Sequence, residues 1–197
     1  KKLDLFLDRK LPLLGEISEP SLARWLPKIL PPGLPVMLSA SSPVRDWITF
    51  AGDASLLRRC FSFRGASGID GTLSLAMGLS SVLGQMVLIT GDLALLHDSN
   101  GWLFSQSKER CLIIVLIDNA GGGIFNQLGM EKIYKGKFES IFTMPQSVDW
   151  FSIATTHGIP FRQISCLDDL TDSIKWAVSL SKTVLLRCCT NSEKDAE

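Results

Sequence analysis

The segment from residue 90 to residue 125 constrains the fold of this chain more than any other. It reads TGDLALLHDSNGWLFSQSKERCLIIVLIDNAGGGIF, and a helical pattern inside it separates an apolar run at 86–90 from a second one at 112–117. Short continuous apolar runs are typical of strands buried on both faces, as in parallel sheets. A strand, a helix and a second parallel strand bring both strand ends to the same edge of a sheet.

Polar residues follow both of these predicted strands. Asp92 comes directly after the first run, and Asn119 follows the second, 27 positions later and just before three glycines. We therefore expect the two side chains to converge. A carboxylate, an amide oxygen and a carbonyl exposed by a glycine turn are hard oxygen ligands, suited to Mg²⁺ holding a phosphorylated ligand. Spacing alone leaves a second interpretation open, in which Asp92 caps a helix and Asn119 stabilises a turn.

The rest of the chain continues the alternation of apolar strands and helices. Further strands are predicted at 34–38, 60–63, 160–164 and 184–188, and helices at 72–83, 148–157 and 168–180. This pattern predicts an α/β fold, a parallel sheet covered by helices on both faces. Its ligand site is expected at the carboxyl edge of the strands. Ser41, a glycine-rich loop at 65–71, Gly91 and the turn at 119–123 all fall on that edge.

Length and local sequence suggest how the chain is divided. The 197 residues are enough for one domain. Residues 1–17 alternate leucine with charge and are predicted to be a linker or the tail of a preceding domain. Ser18 is a plausible helix cap, with Pro20 in the first turn. We therefore predict a domain over 18–190 and a polar tail over 191–197.

Composition excludes several classes of function. Twenty basic residues balance twenty acidic ones, so the chain has no strong net charge to attract nucleic acid or an anionic membrane. No apolar run reaches the roughly 18 residues that a membrane span needs. Five cysteines without a CxxC pair, and two histidines, do not predict a disulfide framework or a zinc site. Cytoplasm is the expected location, and a plastid protein would look the same once its transit peptide was removed.

The motifs together resemble a known family. Gly-Asp followed by an asparagine turn resembles the motif that binds thiamine diphosphate. The pattern SxxxR from Ser41 to Arg45, with RGASGIDG at 64–71, GDLALLHD at 91–98 and GGGIF at 121–125, resembles the 2-succinyl-5-enolpyruvyl-6-hydroxy-3-cyclohexene-1-carboxylate synthase family. The resemblance implies a thiamine diphosphate-binding fold. It also implies a transferase of menaquinone and phylloquinone biosynthesis that decarboxylates 2-oxoglutarate and adds the succinyl unit to isochorismate.

The resemblance also implies roles for individual residues. Asp92, Asn119 and the carbonyl of Gly121 would bind Mg²⁺ or Mn²⁺, which in turn holds the diphosphate of the cofactor. Ile69 would bend the cofactor into its V shape. The full set of implied cofactor-binding residues is Gly68, Ile69, Gly91, Asp92, Leu93, Asn119, Gly121, Gly122, Ile124 and Phe125.

The substrates are implied to contact three further side chains. Ser41 and Arg45 would hold the carboxylate of the succinyl part, and Arg64 would lie near the second substrate. Ile124 and Phe125 would form apolar walls beside the reacting atoms. The planar fork of arginine suits this task because it pairs with two carboxylate oxygens at once.

Two departures from the family pattern bear on these roles. Asp118 precedes Asn119 where the family often has asparagine, and it would add negative charge beside the metal if its side chain faced inward. The glutamate that activates the cofactor belongs to a separate amino-terminal domain in this family, and neither Glu16 nor Glu19 lies in a matching context. No catalytic residue is therefore predicted in this segment, and the segment alone is expected to be inactive.

Several alternatives stay open at this point. One is another thiamine diphosphate carboligase of the acetolactate synthase type, which would have no use for Arg45 and Arg64. Another is a non-catalytic domain kept for assembly. Family members build each site between subunits, so a homodimer or homotetramer is expected. The segment at 129–147, which has no clean periodicity, is predicted to be a functional flap.

Overall fold

The computed structural model describes residues 2–63, 68–106, 111–128, 136–191 and 195. Six strands form one sheet in the order β2-β1-β3-β4-β6-β5, and every neighbouring pair in it is parallel. The predicted parallel α/β architecture is therefore confirmed. The strands are β1 (Val36–Leu38), β2 (Cys60–Phe61), β3 (Met86–Gly91), β4 (Leu112–Asp118), β5 (Phe161–Ile164) and β6 (Val184–Cys189).

Strand β4 shows how the sheet divides the core into two layers. All seven of its residues are buried. Ile113, Val115 and Ile117 point into one apolar cluster, and Leu112, Ile114 and Leu116 point into the other. This alternation follows from the two-residue period of a strand, and it explains why the run is apolar throughout.

Helices cover both faces of the sheet. The α-helices are α1 (Lys2–Lys10), α2 (Glu19–Ile29), α3 (Ser42–Phe50), α4 (Thr72–Leu83), α5 (Asp92–His97), α6 (Trp150–Thr156) and α7 (Leu170–Ser179). The first layer includes residues of α2, α3 and α7, and the second includes residues of α4, α5 and α6. Short 3₁₀ helices cover Gly52–Leu57, Ser99–Phe104, Gly123–Leu128 and Leu167–Asp169, and Glu139–Thr143 is a π-helical turn.

Helix α2 begins as its sequence predicts. The Ser18 side chain accepts a hydrogen bond from the backbone N–H of Ser21 at 3.2 Å, and the Ser21 side chain accepts one from the Ser18 backbone N–H at 2.9 Å. This reciprocal arrangement is a capping box, with serine in the place that glutamate usually takes.

Helix α1 lies within the segment predicted to be a linker or a tail. The guanidinium of Arg24, only 1% exposed, fixes it to α2. Arg24 Nε donates to Asp8 at 2.7 Å, Nη1 donates to Asp4 at 2.9 Å, and Nη1 also donates to the carbonyl of Phe50 at 3.1 Å. The contacts are charge-assisted and several, so α1 packs on the domain although none of its own residues is buried. The division at residue 17 stays a prediction.

The strand order places a crevice at one edge of the sheet. From β1 the chain moves outward to β2, then crosses back to β3 on the other side of β1. Ligands of open α/β sheets bind where the strand order reverses in this way, beyond the carboxyl ends of the strands. Among the described residues, no helix is long and apolar enough to cross a membrane.

Candidate cofactor-binding site

A cavity of about 600 Å³ opens at this carboxyl edge. The segments that follow β1, β3 and β4 form most of its lining, together with the residues before α4 and the first residue of α2. The lining residues are Glu19, Ala40, Ser41, Ser42, Pro43, Arg45, Gly68, Ile69, Gly91, Asp92, Leu93, Ala94, Ile117, Asn119, Gly121, Gly122, Gly123, Ile124, Phe125 and Gln127.

Asp92 is the buried carboxylate of this cavity. It is 3% exposed, and its Oδ1 accepts a hydrogen bond from the backbone N–H of Leu93 at 2.7 Å. Within the described part of the chain, its Oδ2 is buried without a hydrogen-bond partner. Burial raises the pKa of Asp92 to about 7, although the N–H of Leu93 favours the charged form. An unpartnered buried carboxylate oxygen is costly, so it indicates a group that awaits a cation or a donor.

Asn119 lies in the turn that follows β4 and faces the same cavity. Its Oδ1 accepts a hydrogen bond from the N–H of Gly121 at 3.2 Å, and its Nδ2 donates to Glu19 Oε1 at 2.7 Å. The backbone amide of Gly121 also lies close enough to Asp92 to affect the pKa of that carboxyl. The predicted convergence of the ends of β3 and β4 is thus seen directly.

The glycines of this turn are required by a neighbouring segment. A Cβ on Gly121 would collide with the carbonyl oxygen of Thr143, and one on Gly122 would lie 2.6 Å from the carbonyl oxygen of Phe142. The N–H of Gly122 donates to Thr143 O at 2.6 Å. Gly121 also has a φ of +150°, which side chains rarely tolerate. Residues 142–145 therefore pack directly on the turn and hold its shape.

The carbonyl of Gly121 keeps the capacity to bind a cation. Among the described residues, its oxygen accepts one hydrogen bond, from the N–H of Gly123 at 3.0 Å. A carbonyl oxygen has two lone pairs, so one remains for a ligand.

Asp118 is paired within the fold, although after the larger effect of burial its charge still contributes to the raised pKa of Asp92. Its Oδ2 accepts a hydrogen bond from Nε of Arg187 at 2.7 Å, and its Oδ1 accepts one from the N–H of Ala120 at 3.2 Å. Arg187 extends from β6, the strand next to β4. This ion pair offsets part of the negative charge that Asp118 adds beside the candidate metal site.

Ser41 and Arg45 also line the cavity. Ser41 has φ 78° and ψ −143°, a conformation that residues other than glycine seldom adopt. Nη1 of Arg45 donates to the carbonyl oxygen of Ser41 at 2.6 Å, which stabilises this strained backbone. A guanidinium has five N–H donors, so this bond leaves Arg45 able to bind an anion.

Apolar side chains complete the lining. Ile69, Ile124 and Phe125 are half-buried, and the ring of Phe125 packs against that of Phe142 with centroids 5.6 Å apart. A ligand in the cavity would meet both apolar surface and polar groups, as in many cofactor sites.

The structure brings together every predicted site residue that it describes, and Arg64 lies outside the described residues. Several residues that line the cavity were not predicted, and among them Glu19 is the charged one. The sequence around it, Ser18-Glu19-Pro20-Ser21, carries a helix-start signal that already explains the serine and the proline. Nothing local indicates that this glutamate reaches a turn 100 residues away.

The residues present fit a divalent cation that carries a diphosphate. The carboxylate, the amide oxygen and the carbonyl are all hard oxygen donors, and one carboxylate oxygen is unpartnered. Among the described residues, no group of three or more His, Cys, Asp or Glu is placed to hold a metal ion. A cation here would therefore depend on this mixed donor set and on oxygens of the ligand.

Comparison with known proteins points in the same direction. Residues 54–188 match the family described as thiamine pyrophosphate enzyme, C-terminal TPP binding domain. The chain is 57% identical to 2-succinyl-5-enolpyruvyl-6-hydroxy-3-cyclohexene-1-carboxylate synthase of Prochlorococcus marinus strain NATL1A, over 98% of this chain and 33% of that protein. It is also 57% identical to the synthase of Synechococcus sp. strain CC9902, over 98% of this chain and 34% of that protein. It thus spans about a third of the length of these relatives.

Solved structures share the fold at low sequence identity. Benzoylformate decarboxylase from Polynucleobacter necessarius superposes with a TM-score of 0.73 at 16% identity, over 88% of this chain and 33% of that one. A thiamine diphosphate-dependent 4-hydroxybenzoylformate decarboxylase of Rhodococcus jostii RHA1 gives a TM-score of 0.65 at 19% identity, over 89% of this chain and 33% of that one. Together with the family match over most of its length, this establishes that the chain belongs to the family of C-terminal TPP-binding domains of thiamine pyrophosphate enzymes.

Proposed function

We propose that the cavity binds thiamine diphosphate through Mg²⁺, or Mn²⁺ in its place. Asp92, Oδ1 of Asn119 and the carbonyl of Gly121 would hold the cation, and the cation would hold the diphosphate. The observation that carries this proposal is the buried Oδ2 of Asp92, which has no hydrogen-bond partner in the part of the chain that the structure describes. A divalent cation would neutralise this oxygen and remove the cost of burying it.

We infer further that the complete protein is a 2-succinyl-5-enolpyruvyl-6-hydroxy-3-cyclohexene-1-carboxylate synthase, which acts on 2-oxoglutarate and isochorismate. High identity to synthases of that name supports this, and the acetolactate synthase type has no comparable support. When bound, thiamine diphosphate supplies a nucleophilic carbon that carries the acyl unit left after a 2-oxo acid loses CO₂. The rest of the chemistry depends on how the protein holds and surrounds the reactants.

The chain's own side chains divide that work. Ile69 would fix the bent shape of the cofactor, and Ile124 and Phe125 would exclude water beside the reacting atoms, where a dry wall strengthens electrostatic interactions. Arg45, next to Ser41, would pair with the distal carboxylate of 2-oxoglutarate. Arg64 is proposed, on sequence alone, to lie near isochorismate.

Other parts of the site would come from the portion of the complete protein that corresponds to the rest of the related synthases' length. The resemblance implies an activating glutamate on another domain and a site built between subunits. We therefore propose a homodimer or homotetramer for the complete protein.

Isothermal titration with Mg²⁺ and thiamine diphosphate tests the metal assignment. We expect the chain to bind the pair, and Asp92→Ala to weaken binding by about 100-fold, because it removes the charged ligand. Asp172→Asn is the matched control, since it removes an exposed first-turn carboxylate of α7 that does not line the cavity. Equal binding by wild type and Asp92→Ala would exclude the assignment.

The substrate is tested separately, by following CO₂ release in the complete protein. We expect release from 2-oxoglutarate and little from pyruvate. The reverse preference would favour the acetolactate synthase type.

A further inference from the structure

The side-chain amide of Asn119 is held by a buried glutamate. Nδ2 of Asn119 donates to Oε1 of Glu19 at 2.7 Å, and the two residues are 100 positions apart. Glu19 is the first residue of helix α2 and is 4% exposed. Both residues line the same cavity.

An ionised carboxylate fixes the orientation of an amide that contacts it. The carboxylate can only accept hydrogen bonds, whereas an asparagine side chain has a donating NH₂ on one side and an accepting oxygen on the other. With Glu19 as its partner, Asn119 must turn its NH₂ toward α2 and its oxygen away. Oδ1 then accepts a hydrogen bond from the N–H of Gly121 at 3.2 Å, within the cavity that both residues line.

The surroundings of Glu19 argue against an ordinary helix-start acid. An exposed carboxylate near a helix N-terminus gains a little from the helix dipole and loses no hydration. Glu19 is instead buried, and Asp46 and Asp195 lie near it. Its own N–H donates to Oδ1 of Asp195 at 3.0 Å. Burial and the charge of Glu19 raise the pKa of both Asp46 and Asp195.

This crowding of carboxylates is unfavourable, which indicates that Glu19 has a task that a neutral residue could not perform. The nearby cation Arg45 offsets part of the negative charge, because it favours the ionised form of Asp46. The contact with Asn119 supplies the task, since only an acceptor without donors prevents the amide from flipping.

We propose that Glu19 is a positioning residue for the cation site, which selects the orientation of the Asn119 amide so that its oxygen faces the cation. The proposal rests on the proposed function of Asp92 and Asn119 as cation ligands. It accounts for asparagine at position 119. An aspartate there would be a stronger ligand for Mg²⁺ in isolation, but it has no N–H for Glu19 and would add a second carboxylate 2.7 Å from the first.

Binding of Mn²⁺ in the presence of thiamine diphosphate tests this, with free Mn²⁺ measured by electron paramagnetic resonance. Removing a group that orients a metal ligand typically costs about 10-fold to 100-fold in affinity. We expect Glu19→Gln to weaken Mn²⁺ binding by about 10-fold, because glutamine permits both orientations of the amide, and Glu19→Ala to weaken it further. Asp172→Asn, the exposed first-turn acid of α7, is the control and should bind normally.

A reciprocal exchange separates positioning from a general effect on folding. Asn119→Asp alone should bind Mn²⁺ poorly, because two carboxylates then face each other. The double variant Glu19→Gln/Asn119→Asp should recover at least about 10-fold of the lost affinity, since the glutamine amide can donate to the new carboxylate. A purely structural role for Glu19 predicts that the two substitutions add their losses. Circular dichroism of each variant identifies any that fail to fold. Even if Glu19→Ala does not fold, comparing the double variant with Asn119→Asp distinguishes a positioning role from a structural one.

The outcomes are distinct. Normal Mn²⁺ binding by Glu19→Gln and Glu19→Ala, or a double variant no better than Asn119→Asp, would overturn the positioning role while leaving the cation site intact. Normal Mn²⁺ binding by Asp92→Ala would overturn the cation site itself, and the role of Glu19 with it.

Discussion

A buried aspartate lies at the end of each of the strands β3 and β4, and the two carboxylates differ in their hydrogen bonding. Asp118, at the end of β4, has both carboxylate oxygens in hydrogen bonds, one with Arg187 and one with the N–H of Ala120. Asp92, directly after β3, has one oxygen bonded to its neighbour's N–H, and its other oxygen has no partner among the described residues. The first carboxylate is satisfied by the fold, and the second is left for a ligand.

This difference in hydrogen bonding indicates which of the two aspartates is available to bind a ligand. Both are acidic, buried and next to the same glycine turn, so burial and residue type do not distinguish them. The hydrogen-bond partners do. A carboxylate with charge-assisted partners stabilises the structure, whereas one with a raised pKa and an unpartnered oxygen costs stability, and where it also lines a cavity, as Asp92 does, it indicates a candidate binding position.

The largest expected effect is on the satisfied member of the pair. Asp118→Ala would leave Nε of Arg187 and the N–H of Ala120 without their partner. We expect the free energy of unfolding to fall by about 3 kcal/mol, as when one partner of a largely buried ion pair is removed. Urea denaturation measures this, with Asp172→Ala as an exposed control. A loss no greater than that of the control would mean that Asp118 is not a structural partner.

A smaller effect of the opposite sign is expected for Asp92→Asn in metal-free protein. The pKa of Asp92 is raised from 3.8 to about 7, so the folded state holds this proton more tightly than the unfolded state. Stability from this group is therefore present at low pH and is lost as pH rises between those values.

The asparagine variant does not titrate, so it should be more stable than wild type by about 1 kcal/mol near pH 8 and show no such gain near pH 4. Denaturation curves across this pH range measure the difference. A variant that is less stable at every pH would contradict the assignment of Asp92 as a carboxylate kept for a ligand.

The smallest expected effect concerns the geometry of the ion pair at β4. Arg187 also donates from Nη1 to Oε1 of Gln163 at 3.1 Å, so its guanidinium joins β5 to β4 through β6. Arg187→Lys keeps the charge but loses this fork. We expect a loss of about 0.5 kcal/mol and a fall in Tm of about 2 °C, with unchanged binding of Mg²⁺ and thiamine diphosphate. A change in cofactor affinity would show that the two strand ends are coupled.

The parts that could be predicted depend on local signals. Strand β4 and the helix start at Ser18 can be predicted from neighbouring residues, because strand and cap preferences act over a few positions. It was also predictable that Asp92 and Asn119 line the same cavity. Parallel strands with right-handed connections leave only one edge for their carboxyl ends.

The parts that were missed depend on contacts between distant segments. Glu19 reaches Asn119 across 100 positions, and Arg187 reaches Asp118 across 69. Arg24 fixes helix α1, in a segment whose leucines and charges alone predict no packing. The roles proposed for Ser41, Arg45, Arg64 and the cofactor-binding residues rest on sequence resemblance together with their place at the cavity, and they remain to be tested by binding.

By itself, the sequence determined a parallel α/β sheet and the kinds of ligand atoms at its carboxyl edge. Hydrophobic periodicity and turn preferences depend on neighbouring residues, so they can be identified in a single sequence. Only the tertiary structure decided that Asp118 is satisfied, that Asp92 is not, and that Glu19 holds Asn119. The partner of a polar atom depends on which remote segment packs beside it, and nothing in the residues next to it specifies that partner.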